Sequence, residues 1–243
     1  MKKAFLVILL TASIASASGF DLGVGYIRSS FDATQKIDNT PFNKANGSGN
    51  GIELFINKTF YPTERFGFLI GFETEFSHIK WSKELVGLES SDDTATFQSF
   101  KSDVLISLGL NAGLFVDVYQ SEKFDLRLFG TGGIAWISTF NKSYGGWNCA
   151  QSYHYIYGYS NSVECQSPHG LYGAYAVPMN LGVQFIFEKH HALELATQID
   201  LQEMEFNNNI VNSTYKTTFA RKSSFLLRYV YKHKQKKNAW LDN

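Results

Sequence analysis

Every second residue is apolar through residues 104–118 of the chain. The even positions there are Val, Ile, Leu or Ala, and most odd positions are polar or small, namely Ser107, Gly109, Asn111, Gly113 and Asp117. A period of two is typical of a β-strand with one apolar face. A tilted strand needs roughly 9 to 11 residues of this alternation to cross a bilayer, whereas strands of soluble proteins have about 5 or 6 residues. The pattern therefore predicts a strand of a membrane barrel.

The same alternation recurs along the chain, in stretches that begin at Phe20, Ile52, Phe66, Val104, Phe124, Tyr175, Leu193 and Phe225. Long polar segments at residues 32–50, 80–99, 139–170 and 207–218 alternate with short turns at residues 62–65, 120–123 and 188–191. Outer-membrane barrels have an even strand number, short periplasmic turns and longer external loops. We therefore predict an all-β fold: an eight-stranded antiparallel transmembrane β-barrel with four long external loops and short periplasmic turns. Aromatic residues beside the short turns predict a periplasmic girdle of Phe60, Phe66, Tyr119, Phe124, Phe187 and Tyr231.

The two ends of the chain differ from this pattern. Lys2 and Lys3 precede an apolar run at residues 4–10, and small residues follow up to Ala17, which predicts a secretory signal peptide over residues 1–17. The run is too short for an uncleaved spanning helix. The barrel is then expected over residues 18–231, followed by a polar periplasmic tail at residues 232–243. The lysines of this tail are expected to be solvated; they are Lys232, Lys234, Lys236 and Lys237.

Pro178 lies inside the sixth predicted strand, although a closed barrel has no free edge where a missing N–H group is harmless. We expect a β-bulge at Pro178.

The composition agrees with a location in the outer membrane. Aromatic residues make up 16% of the 243 residues, and the formal net charge is zero, so no overall field attracts nucleic acid. The prediction is a protein of the outer membrane of a Gram-negative bacterium, without a cofactor. Its expected partners are outer-membrane lipid, lipopolysaccharide and the barrel assembly machinery.

The C-terminal third resembles the Helicobacter outer membrane protein family of epsilonproteobacteria. The resemblance rests on the segment HHALELATQI at residues 190–199 and on SSFLLRYVY at residues 223–231. In that family a turn containing His leads into an apolar strand with a Glu, and an aromatic-rich strand closes the barrel. The resemblance implies a porin-like or adhesin-like relative, although the family's adhesins carry large external domains for which this chain has no room.

Charged residues on the predicted inner faces form a candidate lumen network of Glu53, Glu73, Glu75, Asp117, Asp125, Arg127, Glu194, Asp200 and Arg228. An eight-stranded barrel is just wide enough to be filled by side chains, so we expect these charges to pair, with Arg127 and Arg228 as the cations, and we expect no wide pore. The alternative, an enzyme at the external rim, would use candidates among His78, Ser152, His154, Ser167 and His169. Their spacing matches no catalytic triad, so the chain is not expected to be an enzyme or to bind a metal.

The third long loop contains both cysteines. An exported chain with two cysteines predicts a disulfide between Cys149 and Cys165, which would constrain the unfolded chain by about 3 kcal/mol. The same loop contains aromatics among Gly, Ser and Asn, a composition shared with antibody paratopes: Tyr144, Trp147, Tyr153, Tyr155, Tyr157 and Tyr159. These rings either cap the barrel or bind an external ligand, and the spacing of Tyr153 to Tyr159 suits a hairpin above the membrane.

The function expected from the sequence is a structural or surface-interaction role, possible adhesion included, through this disulfide-stapled loop. The alternatives are a narrow porin-like conductance and an enzyme that modifies outer-membrane lipid.

Overall fold

The computed structural model describes residues 18–91, 94–141, 148–154, 160–166, 170–210 and 213–233, and it gives side chains for residues 19–86, 101–139, 174–205 and 216–233. The predicted signal peptide and tail residues 234–243 lie outside these ranges. The first five strands are β1 (Ser18–Ile37), β2 (Thr40–Phe60), β3 (Phe66–Ser91), β4 (Thr94–Gln120) and β5 (Phe124–Asn141). The others are β6 (Asn148–His154), β7 (Ser160–Gln166), β8 (Gly170–Ala176), β9 (Pro178–Phe187), β10 (His191–Asp200), β11 (Met204–Ile210) and β12 (Ser213–His233).

The strands close into a single antiparallel barrel. Pairing runs in the order β1, β2, β3, β4, β5, β9, β10, β12, and β12 pairs back onto β1. Two of the eight positions in the wall, which we call staves, are each occupied by two consecutive shorter strands. β8 continues β9 along β5, and β11 continues β10 along β12. When each of these pairs is counted as one, the wall is the predicted eight-stranded barrel. A separate two-stranded sheet is formed by β6 and β7.

The short turns are confirmed. β2 and β3, β4 and β5, and β9 and β10 are joined at residues 61–65, 121–123 and 188–190. Rings pack on one another at this end, with centroids 4.6 Å apart for Phe60 and Phe68 and 5.6 Å apart for Phe124 and Phe187. The aromatic residues that the sequence predicts beside the periplasmic turns therefore lie there as a girdle.

The long external segments are mostly strand within the described residues, so the predicted external loops are built largely as extended hairpins. β1 and β2 are 20 and 21 residues long and are joined only through Asp38 and Asn39, which have positive φ angles of 47° and 67°. Positive φ at both central residues is the requirement of a type I′ hairpin turn. β3 and β4 extend in the same way to Ser91 and from Thr94. The wall therefore continues well beyond the length that a bilayer requires.

The chemistry of the two faces is inverted along β1. Its outward residues are apolar from Phe20 to Tyr26 and then polar from Arg28 onward, while the inward residues become apolar at Ile27, Phe31 and Ala33. Apolar side chains face out where the wall meets lipid and face in where it meets water. We call the part of the barrel on the external side of this change the external collar. It comprises residues 27–37 of β1, residues 40–51 of β2 and the matching segments of the other strands.

Pro178 interrupts the wall without a bulge at its own position. The ladder of β5 pairs Ala135 with Ala176 and resumes at Gly132 with Met179, so the register is unchanged across Val177 and Pro178. Proline has no N–H group to donate to β5, and one ladder bond is therefore lost. The predicted bulge is wrong at this residue, because the register shift lies on the collar side, between Ile137 and Thr139 of β5. The described part of the chain contains no helix long and apolar enough to span a membrane.

Candidate functional site

The centre of the barrel contains an arginine that joins three strands. Arg228 of β12 donates from Nε and Nη2 to the two carboxylate oxygens of Glu53, at 2.7 and 2.6 Å, and from Nη1 to Glu194 Oε1 at 2.7 Å. Glu194 is its direct neighbour on β10, but Glu53 lies on β2, beyond β1. The intervening residue is Gly25, where an added Cβ would lie 2.6 Å from Arg228 Cγ. The arginine therefore reaches Glu53 by passing over a residue that has no side chain.

A second arginine lies closer to the short turns. Arg127 Nε donates to Asp117 Oδ1 at 2.7 Å, and Arg127 Nη2 donates to the hydroxyl of Tyr61 at 2.6 Å. Its guanidinium carbon is 3.8 Å from the centre of the Phe115 ring, in the geometry of a cation–π contact. Tyr61 comes directly after β2, so these contacts bring one short turn into the interior.

A third arginine, Arg221, was not predicted. Its Nη2 donates to Glu75 Oε2 and its Nη1 to Gln198 Oε1, both at 2.6 Å, and Nε lies 3.8 Å from Asp200 Oδ2. Strict alternation from Phe225 would place position 221 on the outer face of β12. The register with β1 shifts between Ser30 and Phe31, where β12 passes directly from Ser223 to Arg221. The extra residue, Lys222, is a bulge that turns Arg221 inward.

Lysines close the periplasmic end. Lys232 Nζ donates to Asp21 Oδ2 at 2.6 Å, and both side chains are at most 2% exposed. Lys232 was predicted to begin the solvated tail, which is wrong, because β12 continues to His233. Lys189 contacts Asp125 Oδ1 at 2.7 Å and also donates to the carbonyl of Ser121. This end is therefore bridged across two turns and between the first and last strands.

The structure places all nine residues of the predicted lumen set on the inner face, with carboxylates in excess over cations. Glu73 accepts a hydrogen bond from Asn111 Nδ2 at 2.9 Å. Neither oxygen of Asp200 accepts a hydrogen bond from the described residues. In addition to the predicted set, the interior contains Asp21, Tyr61, Asp103, Asn111, Gln184, Arg221 and Lys232. The alternation of β1 could have identified Asp21, which lies between the outward residues Phe20 and Leu22.

An apolar cluster fills the barrel within the external collar. Its residues are Phe31, Ala33, Ala45, Ile79, Trp81, Leu85, Leu105, Ala135, Ile137, Ala174, Ala176, Met204 and Phe219. Phe219 stacks on Phe31 at 5.0 Å between ring centres and meets Trp81 edge-on at 5.7 Å. At the level of this cluster, Trp81 Nε1 donates to Asp103 Oδ2 at 3.0 Å, and Asp103 is paired with the cluster residue Ile79. The interior of the collar is therefore mainly apolar, whereas the section within the lipid-facing band combines ion pairs with buried apolar residues such as Phe55, Phe115 and Phe129.

The residues of the third loop fall mostly outside the description. Tyr144, Trp147, Tyr155, Tyr157 and Tyr159 are not described, and Tyr153 is described only as a backbone position of β6. β6 and β7 form an antiparallel pair whose register places Cys149 directly opposite Cys165. Residues 155–159, on whose spacing the hairpin prediction rests, lie outside the described residues. The sulfur atoms lie outside the described side chains, so the disulfide remains a prediction.

The candidate residues of the enzyme hypothesis are not brought together within the described residues. His78 lies half-buried on β3, opposite Asn50 and Val104. The backbones of Ser152 and His154 are in β6, their side chains are outside the description, and Ser167 and His169 are not described.

A closed wall with an apolar lipid-facing band and an ion-paired interior defines a small β-barrel of the outer membrane. The chain belongs to the Helicobacter outer membrane protein family, whose family model matches residues 51–233. The protein is accordingly an outer-membrane protein, as its sequence predicts. No match was found among curated proteins.

Solved structures with a similar arrangement come from other bacteria. OprG from Pseudomonas aeruginosa is 11% identical, with 89% of this chain and 96% of that chain covered and a TM-score of 0.48. The attachment invasion locus protein Ail of Yersinia pestis is 10% identical, with 88% and 98% covered and a TM-score of 0.37. Neisserial surface protein A is 12% identical, with 88% and 96% covered and a TM-score of 0.38.

Proposed function

We propose that this chain is a sealed barrel that holds β-hairpins rigidly at the cell surface, where the β6–β7 hairpin takes part in surface interactions such as adhesion. The observation that carries the proposal is the filled interior beneath a wall that extends beyond the membrane. Ion pairs around Arg228 and Arg127 occupy the lipid-facing section, and the cluster around Trp81 and Phe219 occupies the external collar. A filled barrel with long external strands favours display over transport.

A cysteine staple would give the displayed hairpin a fixed shape. We propose a disulfide between Cys149 and Cys165, supported by their direct pairing across β6 and β7. Residues directly opposite in an antiparallel pair have Cβ atoms about 4.5 to 5.5 Å apart, close to the span of a disulfide. The flanking Tyr, Trp, Gly and Ser residues would then supply the contact surface.

The same arrangement supports two further proposals, one about partners and one about catalysis. As an outer-membrane barrel the chain would be inserted by the barrel assembly machinery and would contact lipopolysaccharide. We also propose that it is not an enzyme, because Glu53, Glu75 and Glu194 each accept a hydrogen bond from an arginine and are therefore poorly placed to transfer protons. Unchanged lipid A acylation in membranes with and without the protein is the expected result, and altered acylation would contradict it.

The competing function is a narrow conductance, and planar-bilayer recording distinguishes the two. The purified full chain, with insertion verified by vesicle flotation, is expected to give no reproducible current steps. The double variant Trp81→Ala/Phe219→Ala removes the external filling and is expected to increase leakage. Phe72→Ala/Phe225→Ala removes two rings from the exposed lipid-facing side and serves as the control. Reproducible steps from the unmodified protein would overturn the sealed-barrel proposal.

The display role is tested on intact cells. Deleting residues 148–166 is expected to abolish binding to host-cell surfaces or glycan arrays, and Cys149→Ser/Cys165→Ser is expected to weaken it. Asn39→Gly, which retains the positive-φ turn of the β1–β2 hairpin, is the matched control at another external tip. Equal binding by the deletion variant and the unmodified protein would refute the role of this hairpin.

A further inference from the structure

The lipid-facing part of β1, β2 and β3 ends in one apolar row on the outer face. Tyr26 is paired with Ile52, Ile52 is paired with Phe76, and all three side chains are exposed. Successive outward residues are about 6.8 Å apart along a strand, and the headgroup layer of a bilayer is roughly 5 to 7 Å deep. The next outward residues of these strands therefore lie among the lipid headgroups.

These next residues are polar and basic. Arg28 is paired with Asn50, and Asn50 is paired with His78, in a row across the three strands. One outward position further along β3 is Lys80, which is paired with Ser48. Arg28 and Lys80 are exposed, and neither forms an ion pair within the described residues. This side of the wall therefore has two uncompensated cations, one at the headgroup level and one a single row beyond it.

The acidic residues of this side do not cancel the two charges. Asp32, the next acid along β1, is already paired with Lys222 at 3.3 Å. Glu84 lies further out on β3 than Lys80 and directly follows the exposed Lys83. The outer face of β1, β2 and β3 is therefore positively charged where it leaves the lipid.

Another side of the wall has the opposite charge at the same boundary. Beyond the exposed Leu201, the first charged residues are Glu203 and Glu205, and among the described residues only Glu205 has an ion-pair partner, Lys216. An anionic headgroup is therefore attracted to the side formed by β1, β2 and β3 and repelled from the side formed by β10 and β11.

Asn50 provides a neutral donor between the two cations. The hydroxyl of Tyr26 donates to Asn50 Oδ1 at 2.6 Å, so Asn50 Nδ2 keeps both hydrogens for another acceptor, and it donates to none of the described residues. Neighbouring strands are about 4.8 Å apart, which places the strands of Arg28 and Lys80 about 10 Å from each other. Both side chains are long enough to meet in front of Asn50.

We propose that Arg28, Asn50 and Lys80 form a phosphate site for a phosphorylated glycolipid of the outer leaflet. Arg28 donates two parallel hydrogen bonds to the phosphate, Lys80 contributes a point charge, and Asn50 donates between them. The acyl chains lie along the apolar row that begins at Tyr26. Because the three donors directly adjoin the lipid-facing band, the occupant is a lipid phosphate and not a free anion.

This site deepens the contact with lipopolysaccharide that was proposed above. It rests on that contact and assigns it to one side of the wall. It does not depend on the sealed interior or on binding by the β6–β7 hairpin.

Native mass spectrometry of the full chain in detergent counts bound lipid molecules directly. The protein is titrated with diphosphorylated lipid A and with the same lipid A after removal of both phosphates. We expect saturable binding of the phosphorylated lipid, and binding of the dephosphorylated lipid that is weaker by about tenfold or more, because charge-assisted hydrogen bonds are lost. Equal binding of the two lipids would overturn the proposal.

Inorganic phosphate in excess distinguishes the two sources of the anion. Lipid A is expected to remain bound, because its acyl chains add contacts that the free ion lacks. Complete displacement of lipid A by inorganic phosphate would overturn the assignment to a lipid.

Two double variants locate the site. Arg28→Gln/Lys80→Gln is expected to weaken the binding of diphosphorylated lipid A by at least about tenfold. Lys44→Gln/Lys123→Gln removes the same charge at exposed positions, far out on β2 and in a periplasmic turn, and is expected to leave binding unchanged. Compact mobility on an unheated SDS gel verifies that each variant is folded. Equal affinity of the two double variants would refute this site but not the contact with lipopolysaccharide, whereas no lipid A binding by the unmodified protein would refute both.

Discussion

Lys232 Nζ donates a 2.6 Å hydrogen bond to Oδ2 of Asp21, and this ion pair joins the last strand of the barrel to the first. Both side chains are almost completely buried, so neither charge has water as an alternative partner. Replacing a single member of such a pair leaves an uncompensated charge inside the protein, which typically costs about 3 to 5 kcal/mol.

We therefore expect Asp21→Asn to lower the free energy of unfolding by roughly this amount, because Lys232 is then buried without its counterion. Urea titration of the protein refolded into short-chain phosphatidylcholine vesicles measures the change. The double variant Asp21→Asn/Lys232→Met removes both charges and is expected to recover most of the loss. Equal destabilisation of the single and double variants would show that the pairing of these charges is not what stabilises the closure.

Arg228→Lys tests the planar geometry of the central cation. A lysine retains the charge but cannot donate two parallel hydrogen bonds to Glu53 while it also contacts Glu194. The expected cost is about 1 to 3 kcal/mol in the same unfolding experiment. Arg28→Lys, on the exposed outer face of β1, is the control and is expected to be neutral. If the two variants have the same stability, the charge alone accounts for the role of Arg228.

Gly67→Ala tests the packing against the ring of Phe115. A Cβ at this position would lie 2.1 Å from Phe115 Cζ and 2.4 Å from the carbonyl oxygen of Phe60, and the backbone atom cannot move aside easily. We expect a large loss of folded barrel, measured as the fraction that keeps its compact mobility on an unheated SDS gel. Gly132→Ala, where no atom lies within 4 Å of the added Cβ, is expected to fold normally. Normal folding of both variants would contradict the packing described here.

The sequence alone predicts the lipid-facing half of the molecule well. Each outward position from Phe20 to Tyr26, or from Leu108 to Val118, is exposed as period two requires. The interior follows by alternation, and Arg127 and Arg228 were recognised as the cations that pair with the acids. Which acid each arginine contacts depends on register and on gaps such as Gly25, and neither can be read from one strand.

Two kinds of error have a common physical cause, since both arise where the simple alternation changes phase. The polar residues of the collar were interpreted as loops, because an outward face in water contains the same Asn, Gly and Lys that mark turns. The inward Phe31 and Ala33 were the available signal of a continuing strand. Arg221 was missed because the bulge at Lys222 reverses which residues of β12 face inward. Such a bulge reverses which residues beyond it face the barrel interior, and no local sequence pattern predicts it.

The pairing of β1 with β12 is a contact between the two ends of the barrel sequence, which bears on how the barrel assembles. These strands meet from Phe20 with His233 to Ile37 with Tyr215, so the contact that completes the wall joins residues that are among the most distant in the chain. Contacts of such high sequence separation form late and slowly, because a long loop must be closed first. Until then both strands have unpaired edges, and the exported chain must be protected from aggregation. The contact between Asp21 and Lys232 can form only when β1 and β12 pair, so it marks the closed barrel.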